Sequence, residues 1–340
     1  MSPTKDLVDL AQRFDADRRH LRSVAFGLLG SLADADDAVQ SAWLKASHAD
    51  SADSDAIKNV DNLTGWFTTI TARVALDQLR LRKRRAEQPL DASTELGASD
   101  GFGGAVSESA DEGALLEESV SRALLVVLDR LSPAQRVAFV LHDVFAVPFD
   151  AIADLLNRSP DAAKKLASRA RGRLRAGAPV KPRRAAEHLQ VVEAFLAASQ
   201  GGDIARLVEL LAPDVVRRVD RTLVPDEVST ELRGADVVAE ETRRFTERAR
   251  TGAVVLIDGA PGIVLAPRGR AQVLLLIGIG ADNRIDTIEI TGDVERIRKV
   301  ALTLPLGPFQ QLHSPAGYQG RRARSPGPSD RGQDREHHAG

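Results

Sequence analysis

Leu131 to Arg175, LSPAQRVAFVLHDVFAVPFDAIADLLNRSPDAAKKLASRARGRLR, reads as a helix-turn-helix whose second helix is loaded with positive charge. Phe149, Ile152, Ala153, Leu155 and Leu156 give the first of the two helices an apolar face. Asn157 follows, a residue that tolerates the left-handed backbone a tight helix-helix turn demands. Ser159 is placed to cap the next helix, and Pro160 sits at its first position, where a missing N–H costs nothing. Ala163, Leu166, Ala167, Ala170 and Leu174 then recur at three- and four-residue spacing as an inward stripe. Lys164, Lys165, Ser168, Arg169, Arg171 and Arg173 are left on the outer face.

From Arg158 to Arg184 there are ten Lys or Arg and one acid, Asp161. Such a stripe neutralises phosphates, and the early residues of a recognition helix are those that reach base edges in the major groove. A solvated basic helix face would give the same charge run, but not the capped helix-turn-helix around it.

The chain has 340 residues and a formal net charge of −2, enough length for two or three separately packed domains. The near-neutral total hides segregation. Arg73 to Arg85 holds six basic side chains and one acid, whereas Glu87 to Glu118 holds nine acids and no base. Separate surfaces are implied, not a uniformly basic coat. The absence of cysteine excludes disulfides and thiolate metal sites, and the seven histidines show no ligand spacing. No cofactor or metal is expected. No stretch is long and apolar enough to span a membrane or serve as a signal peptide, so a cytoplasmic protein without membrane contact is expected.

Periodicity predicts helices over Asp6 to Gly30, from about Asp34 to Ala46, and from Leu63 to about Arg85, with a polar loop at 48–62. On the second of these, Asp37, Gln40 and Leu44 face away from the apolar stripe. The third carries Trp66 and Phe67 on its apolar stripe and ends in RLRKRR. Residues 87–114 are rich in Gly, Ser and acids and are expected to form a mobile linker. After a Pro-containing hinge at 178–184, helices are expected over Glu187 to Ser199, Ile204 to Leu211 and Ala235 to Arg250. Strands follow at Val254 to Ile257, Ile263 to Leu265, Ala271 to Ile279 and Arg284 to Thr291, forming a curved antiparallel sheet in an α+β domain. DGAPG at Asp258 to Gly262 reads as a turn. Asp214, Asp220, Asp226, Glu227, Asp236 and His188 are the acid-base candidates there, most of them expected to be surface carboxylates.

Three segments resemble the extracytoplasmic-function sigma factors of bacterial RNA polymerase: DADDAVQSAWLKA at Asp34 to Ala46, NLTGWFTTITARVALDQLRLRKRR at Asn62 to Arg85, and the Leu131 to Arg175 stretch. In that family they are regions 2.2, 2.3 to 2.4, and 4. The C-terminal segments FLAASQGGDIARLVELLAPDVV, LRGADVVAEETRRF and DGAPGIVL resemble the SnoaL-like domain that some such factors carry. The resemblance implies a multidomain chain of two all-α sigma domains followed by an α+β SnoaL-like cone. Its parts would be 1–86 (region 2), 87–114 (linker), 115–177 (region 4), 178–184 (hinge), 185–308 (cone) and 309–340 (disordered tail).

The resemblance also implies roles. Asp37, Gln40 and Leu44 would bind core RNA polymerase. Arg80, Arg82, Lys83, Arg84 and Arg85 would hold phosphates at the minus-10 element. Lys164, Lys165 and Ser168 would read the minus-35 element of promoter DNA, with Arg158, Arg169, Arg171 and Arg173 on phosphates. The protein would be a non-enzymatic initiation subunit that aids strand opening, regulated in cis by the cone, whose apolar pocket could take a small-molecule ligand. Two sequence departures touch that regulation: a WLPEPL-like motif is reduced to the Pro-Leu pair of RRAEQPLDA, and an NPDKL-like motif is replaced by TGDVERI. Two other readings compete: a ligand-responsive regulator that binds DNA without polymerase, and a SnoaL-like enzyme with basic helices appended. Neither needs region 2 beside region 4.

Overall fold

A computed structural model describes residues 3–52, 62–87, 121–175, 182–224 and 229–305. The linker expected at 87–114, apart from Glu87, and the tail at 309–340 lie outside the described residues, as do residues 178–181 of the expected hinge.

The first three helices, α1 (Pro3–Leu29), α2 (Leu32–Ala52) and α3 (Leu63–Glu87), form one bundle. Phe14 of α1 is its pivot, with Trp43 of α2 at 5.2 Å and Phe67 of α3 edge-on at 5.0 Å. Phe67 is fully buried, and Trp66 is half-buried against the same cluster. Helix α1 ends on Gly30 in the left-handed region, its N–H returning 2.7 Å to the Phe26 carbonyl. Helix α2 extends to Ala52, into the segment expected to be loop.

The second bundle comprises α4 (Arg122–Leu128), α5 (Pro133–Phe139), a π-helical turn (Val140–Val144), α6 (Phe149–Leu156) and α7 (Pro160–Arg175). Ser132 and Gln135 form a reciprocal capping box on α5. Asn157 takes the left-handed conformation between α6 and α7, at φ 53°. Ser159 caps α7, its Oγ accepting from the Ala162 N–H at 3.2 Å. Ala163, Ala167, Ala170 and Leu174 are fully buried, as their spacing requires.

The C-terminal domain opens with α8 (Pro182–Gly201) and α9 (Ile204–Leu210). Pro182 to Arg184, expected in the hinge, thus belong to the first turn of α8, where proline is tolerated. Next come β1 (Leu211–Val219), β2 (Glu231–Arg233), α10 (Ala235–Arg243) and α11 (Thr246–Ala249). The remaining elements are β3 (Gly252–Ile257), β4 (Ala260–Leu265), β5 (Val273–Ile279), β6 (Ile285–Thr291), α12 (Val294–Lys299) and β7 (Leu302–Thr303). Among the described residues the sheet order is β2-β1-β6-β5-β4-β3-β7.

The sheet corrects two expectations. It is mixed, because β1 runs parallel to β6 while the other pairs are antiparallel. The helix expected over 235–250 is two, α10 and α11, separated at Arg244 and Phe245. The DGAPG turn is a two-residue hairpin with Asp258 at φ 50° and Gly259 at φ 85°, the conformation that suits the twist of paired strands.

Both faces of this sheet are covered. Ile263 and Ile288 face α8, α9 and α10 in one apolar cluster with Val192, Phe195 and Leu207. Val255, Ile257, Val264 and Leu274 alternate with them and join the apolar cluster of the two helical bundles. Hydrogen bonds tie the same junction. Arg130 donates to the Ile297 carbonyl at 2.7 Å and the Arg298 carbonyl at 3.3 Å, and the Leu304 N–H donates to the Leu174 carbonyl at 3.2 Å.

Candidate nucleic-acid interface and pocket

Helix α7 presents Lys164, Lys165, Ser168, Arg169 and Arg173 to solvent, and Arg158 stands exposed just before it. Its buried alanines let it lie close on α5, which fixes the direction of this basic face. Two cations also brace the helix. Arg171, half-buried, donates to Asp143 at 2.8 Å, and Arg173 donates to the Gln135 side chain at 3.1 Å. Lys164 is 3.7 Å from Asp161 with both ends exposed, a pair that counts for little in water.

On α3, Arg80, Lys83, Arg84 and Arg85 are exposed. Arg82 differs: it is half-buried, paired with Asp34 at 2.6 Å, and donates to the Leu29 carbonyl at 3.2 Å. It locks α3 to the start of α2, a role invisible in the RLRKRR run. On α2, Asp37 and Gln40 are exposed and Leu44 is 52% exposed, so the three share a free face beside the apolar stripe.

Arg136 lies where the three parts meet. It is 3% exposed on α5, 3.6 Å from Asp129, with its Nε lacking an acceptor among the described residues. Burial pushes its pKa down to about 10, Asp129 opposes the shift, and Arg82 and Arg270 add to it.

A pocket with about 80 Å³ of internal space and an open mouth lies between α8, α10, α11 and the sheet. Its walls are apolar, among them Phe195, Val219, Phe245, Leu275 and Ile290, and its polar groups include Arg217, Glu241 and Arg248. Arg217 Nη2 donates to both oxygens of Glu241. Of the acid-base candidates read from sequence, Asp214, Asp220, Asp236 and His188 do not line this pocket. Asp226 and Glu227 lie outside the described residues. Asp220 instead accepts from the Thr291 hydroxyl and from the Gly292 N–H at 3.1 Å. Arg217 and Glu241 were missed, although one signal existed: Val215, Arg217 and Val219 alternate on the inward phase of β1, an arginine on an apolar rail. Among the described residues no cluster of potential metal ligands occurs, and no helix is long and apolar enough to cross a membrane.

The family model for sigma-70 region 2 matches residues 14–85, and that for sigma-70 region 4 matches residues 121–174. The chain is 36% identical over 265 residues to the ECF RNA polymerase sigma factor SigJ of Mycobacterium tuberculosis, covering 74% of this chain and 80% of that protein. It is 34% identical over 208 residues to a probable ECF sigma factor, SigI, of the same organism, covering 60% and 68%. The crystal structure of the M. tuberculosis SigJ protein aligns at 30% identity with a TM-score of 0.39, over 84% of this chain and 98% of that one.

Proposed function

Since this chain belongs to the ECF sigma factors of RNA polymerase, we propose that it binds core polymerase through Asp37, Gln40 and Leu44 and reads a bipartite promoter. In this reading α7 takes the minus-35 element through Lys164, Lys165 and Ser168, with Arg158 and Arg169 on phosphates. The exposed Arg80, Lys83, Arg84 and Arg85 hold the backbone of the opening minus-10 element, where single-strand capture needs cations beside stacking or apolar platforms. Arg82, Arg171 and Arg173 contribute first by positioning α3 and α7.

The C-terminal domain regulates in cis by holding the bundles together. The observation that carries this is the arrangement of the junction: the domain grips the turn after α4 and the last turn of α7 while the basic face of α7 stays exposed. Distance makes the grip matter. Elements at minus-35 and minus-10 are separated by about 25 base pairs, roughly 85 Å at 3.4 Å per pair. A compact chain of this length has a radius of gyration of about 20 Å, too small to span both sites with its bundles sharing one core. The residues numbered 88–120 reach about 110 Å when extended, enough to bridge the sites once the bundles part.

In vitro transcription with core polymerase tests both claims, using the full chain, an Arg130→Met variant and versions ended near Arg184 and Pro308. Promoter-dependent transcript from the full chain is expected, with higher output from Arg130→Met and from the Arg184 truncation. Absence of transcript from every folded version overturns the sigma reading. Unchanged output on weakening the grip overturns regulation in cis alone.

A further inference from the structure

We propose that the C-terminal pocket binds an apolar carboxylic acid whose carboxylate takes the place of Glu241 on the Arg217 guanidinium. This rests on the reading that the C-terminal domain regulates the sigma module, and it names what that domain senses.

The walls call for hydrocarbon, since Phe195, Leu275 and Ile290 offer no polar partner. The polar chemistry is narrower. The Ser199 hydroxyl donates to the Phe195 carbonyl at 2.7 Å and the Thr242 hydroxyl to the Val238 carbonyl at 2.7 Å, each within its own helix. The donor facing an occupant is therefore the Arg217 guanidinium, and the group that suits it is an acceptor. Arg217 is a fixed cation in an apolar wall with an unmatched N–H, which favours an anion over a neutral acceptor.

Arg217 is the anchor. Its side chain is 4% exposed, and its Nε is buried with no hydrogen-bond partner among the described residues. A buried charge with an unmatched donor is costly, and buried ion pairs are seldom retained for stability alone. Glu241 meets only Nη2, leaving the two-nitrogen edge that fits a carboxylate half-used. Glu241 is also the more accessible partner, 21% exposed against 4% for Arg217, so it has a route outward when a ligand carboxylate arrives.

Isothermal titration calorimetry on the full chain, without polymerase, decides the matter using decanoate and 1-naphthylacetate, each beside its primary amide. At least one acid is expected to bind saturably and at least tenfold more tightly than its amide. Arg217→Met should weaken acid binding at least tenfold, while Arg217→Lys, which keeps the charge, should weaken it less. Glu241→Gln should tighten acid binding about threefold or more, an outcome that a purely structural role for the pair would not produce. The proposal is overturned if neither acid binds, if acid and amide bind alike, or if Glu241→Gln weakens the acid as Arg217→Met does. The acid-amide comparison needs no variant and stands even if Arg217→Met fails to fold. Failure here with a transcriptional response to Arg130→Met would remove the ligand class and leave regulation in cis intact.

Discussion

Asn157 sets the angle at which the basic helix leaves the turn. Its φ of 53° lies where a Cβ crowds the following carbonyl, and asparagine tolerates that region better than other residues with a side chain. Asn157→Ala is expected to cost about 1 kcal/mol of stability, and Asn157→Gly to stay within about 0.5 kcal/mol of the parent. Urea denaturation followed by circular dichroism checks the pair, and equal losses in the two variants would mean that the side chain, not the backbone, carries the turn. On the outer face, Lys164→Ala and Lys165→Ala should each cost about 1–3 kcal/mol on a duplex holding the correct upstream element, with a smaller loss on a scrambled one. Titrations at several salt concentrations separate base contact from phosphate contact. A uniform loss on both duplexes, with a shallower salt dependence, would make those lysines phosphate ligands.

Helix α7 owes its seat to small residues, because Ala163, Ala167 and Ala170 are buried to zero exposure against the rest of the bundle. Ala167→Leu should therefore destabilise the bundle by about 1–3 kcal/mol, read as a lowered midpoint in denaturation, and a midpoint unchanged or raised would show slack that the packing does not suggest. That stripe, like the Asn157 turn and the Ser159 cap, was legible in sequence because each is a local device with a fixed offset. The sheet was harder to read. β1 escaped notice because Leu211 and Ala212 continue the apolar face of α9 into the strand, and Pro213 looks like a break. Its parallel pairing with β6 joins residues some seventy positions apart, which no local pattern encodes. The apolar runs of β3, β4 and β5 carried a further message, since an antiparallel sheet with one wet face should alternate with polar residues. VVLI and VLLLI do not alternate, because the second face packs on the helical bundles. The pocket pair Arg217 and Glu241 depends on that tertiary placement and has no motif of its own.

At the scale of the whole molecule, a buried cation lies where the three parts meet. Arg136 sits where α5 meets Gly30 at the end of α1, Arg82 of α3 and Arg270 of the C-terminal domain, so the junction gathers three guanidinium groups around the partial relief of Asp129 and Asp34. Burial first, and the neighbouring arginines after it, hold the Arg136 pKa at about 10, below the ordinary guanidinium value that it regains on unfolding. For a base with a lowered folded-state pKa, the packed state bears the full penalty below pH 10 and is relieved as pH climbs through 10 toward the ordinary value. The penalty is on the order of 3 kcal/mol. Arg136→Met removes the charge and keeps most of the volume, and Asp129, 39% exposed, can turn to water when its partner goes. The variant is therefore expected to be more stable than the parent between pH 7 and 9, by about 1–3 kcal/mol. Its advantage should shrink between pH 9 and 11, where the parent loses its buried charge. Comparing the two proteins by denaturation across that range cancels the titration of lysine and tyrosine, which both share. A stability difference that stays constant from pH 8 to pH 11, or a parent more stable than the variant at pH 8, would show that Arg136 binds the three parts together and does not strain them.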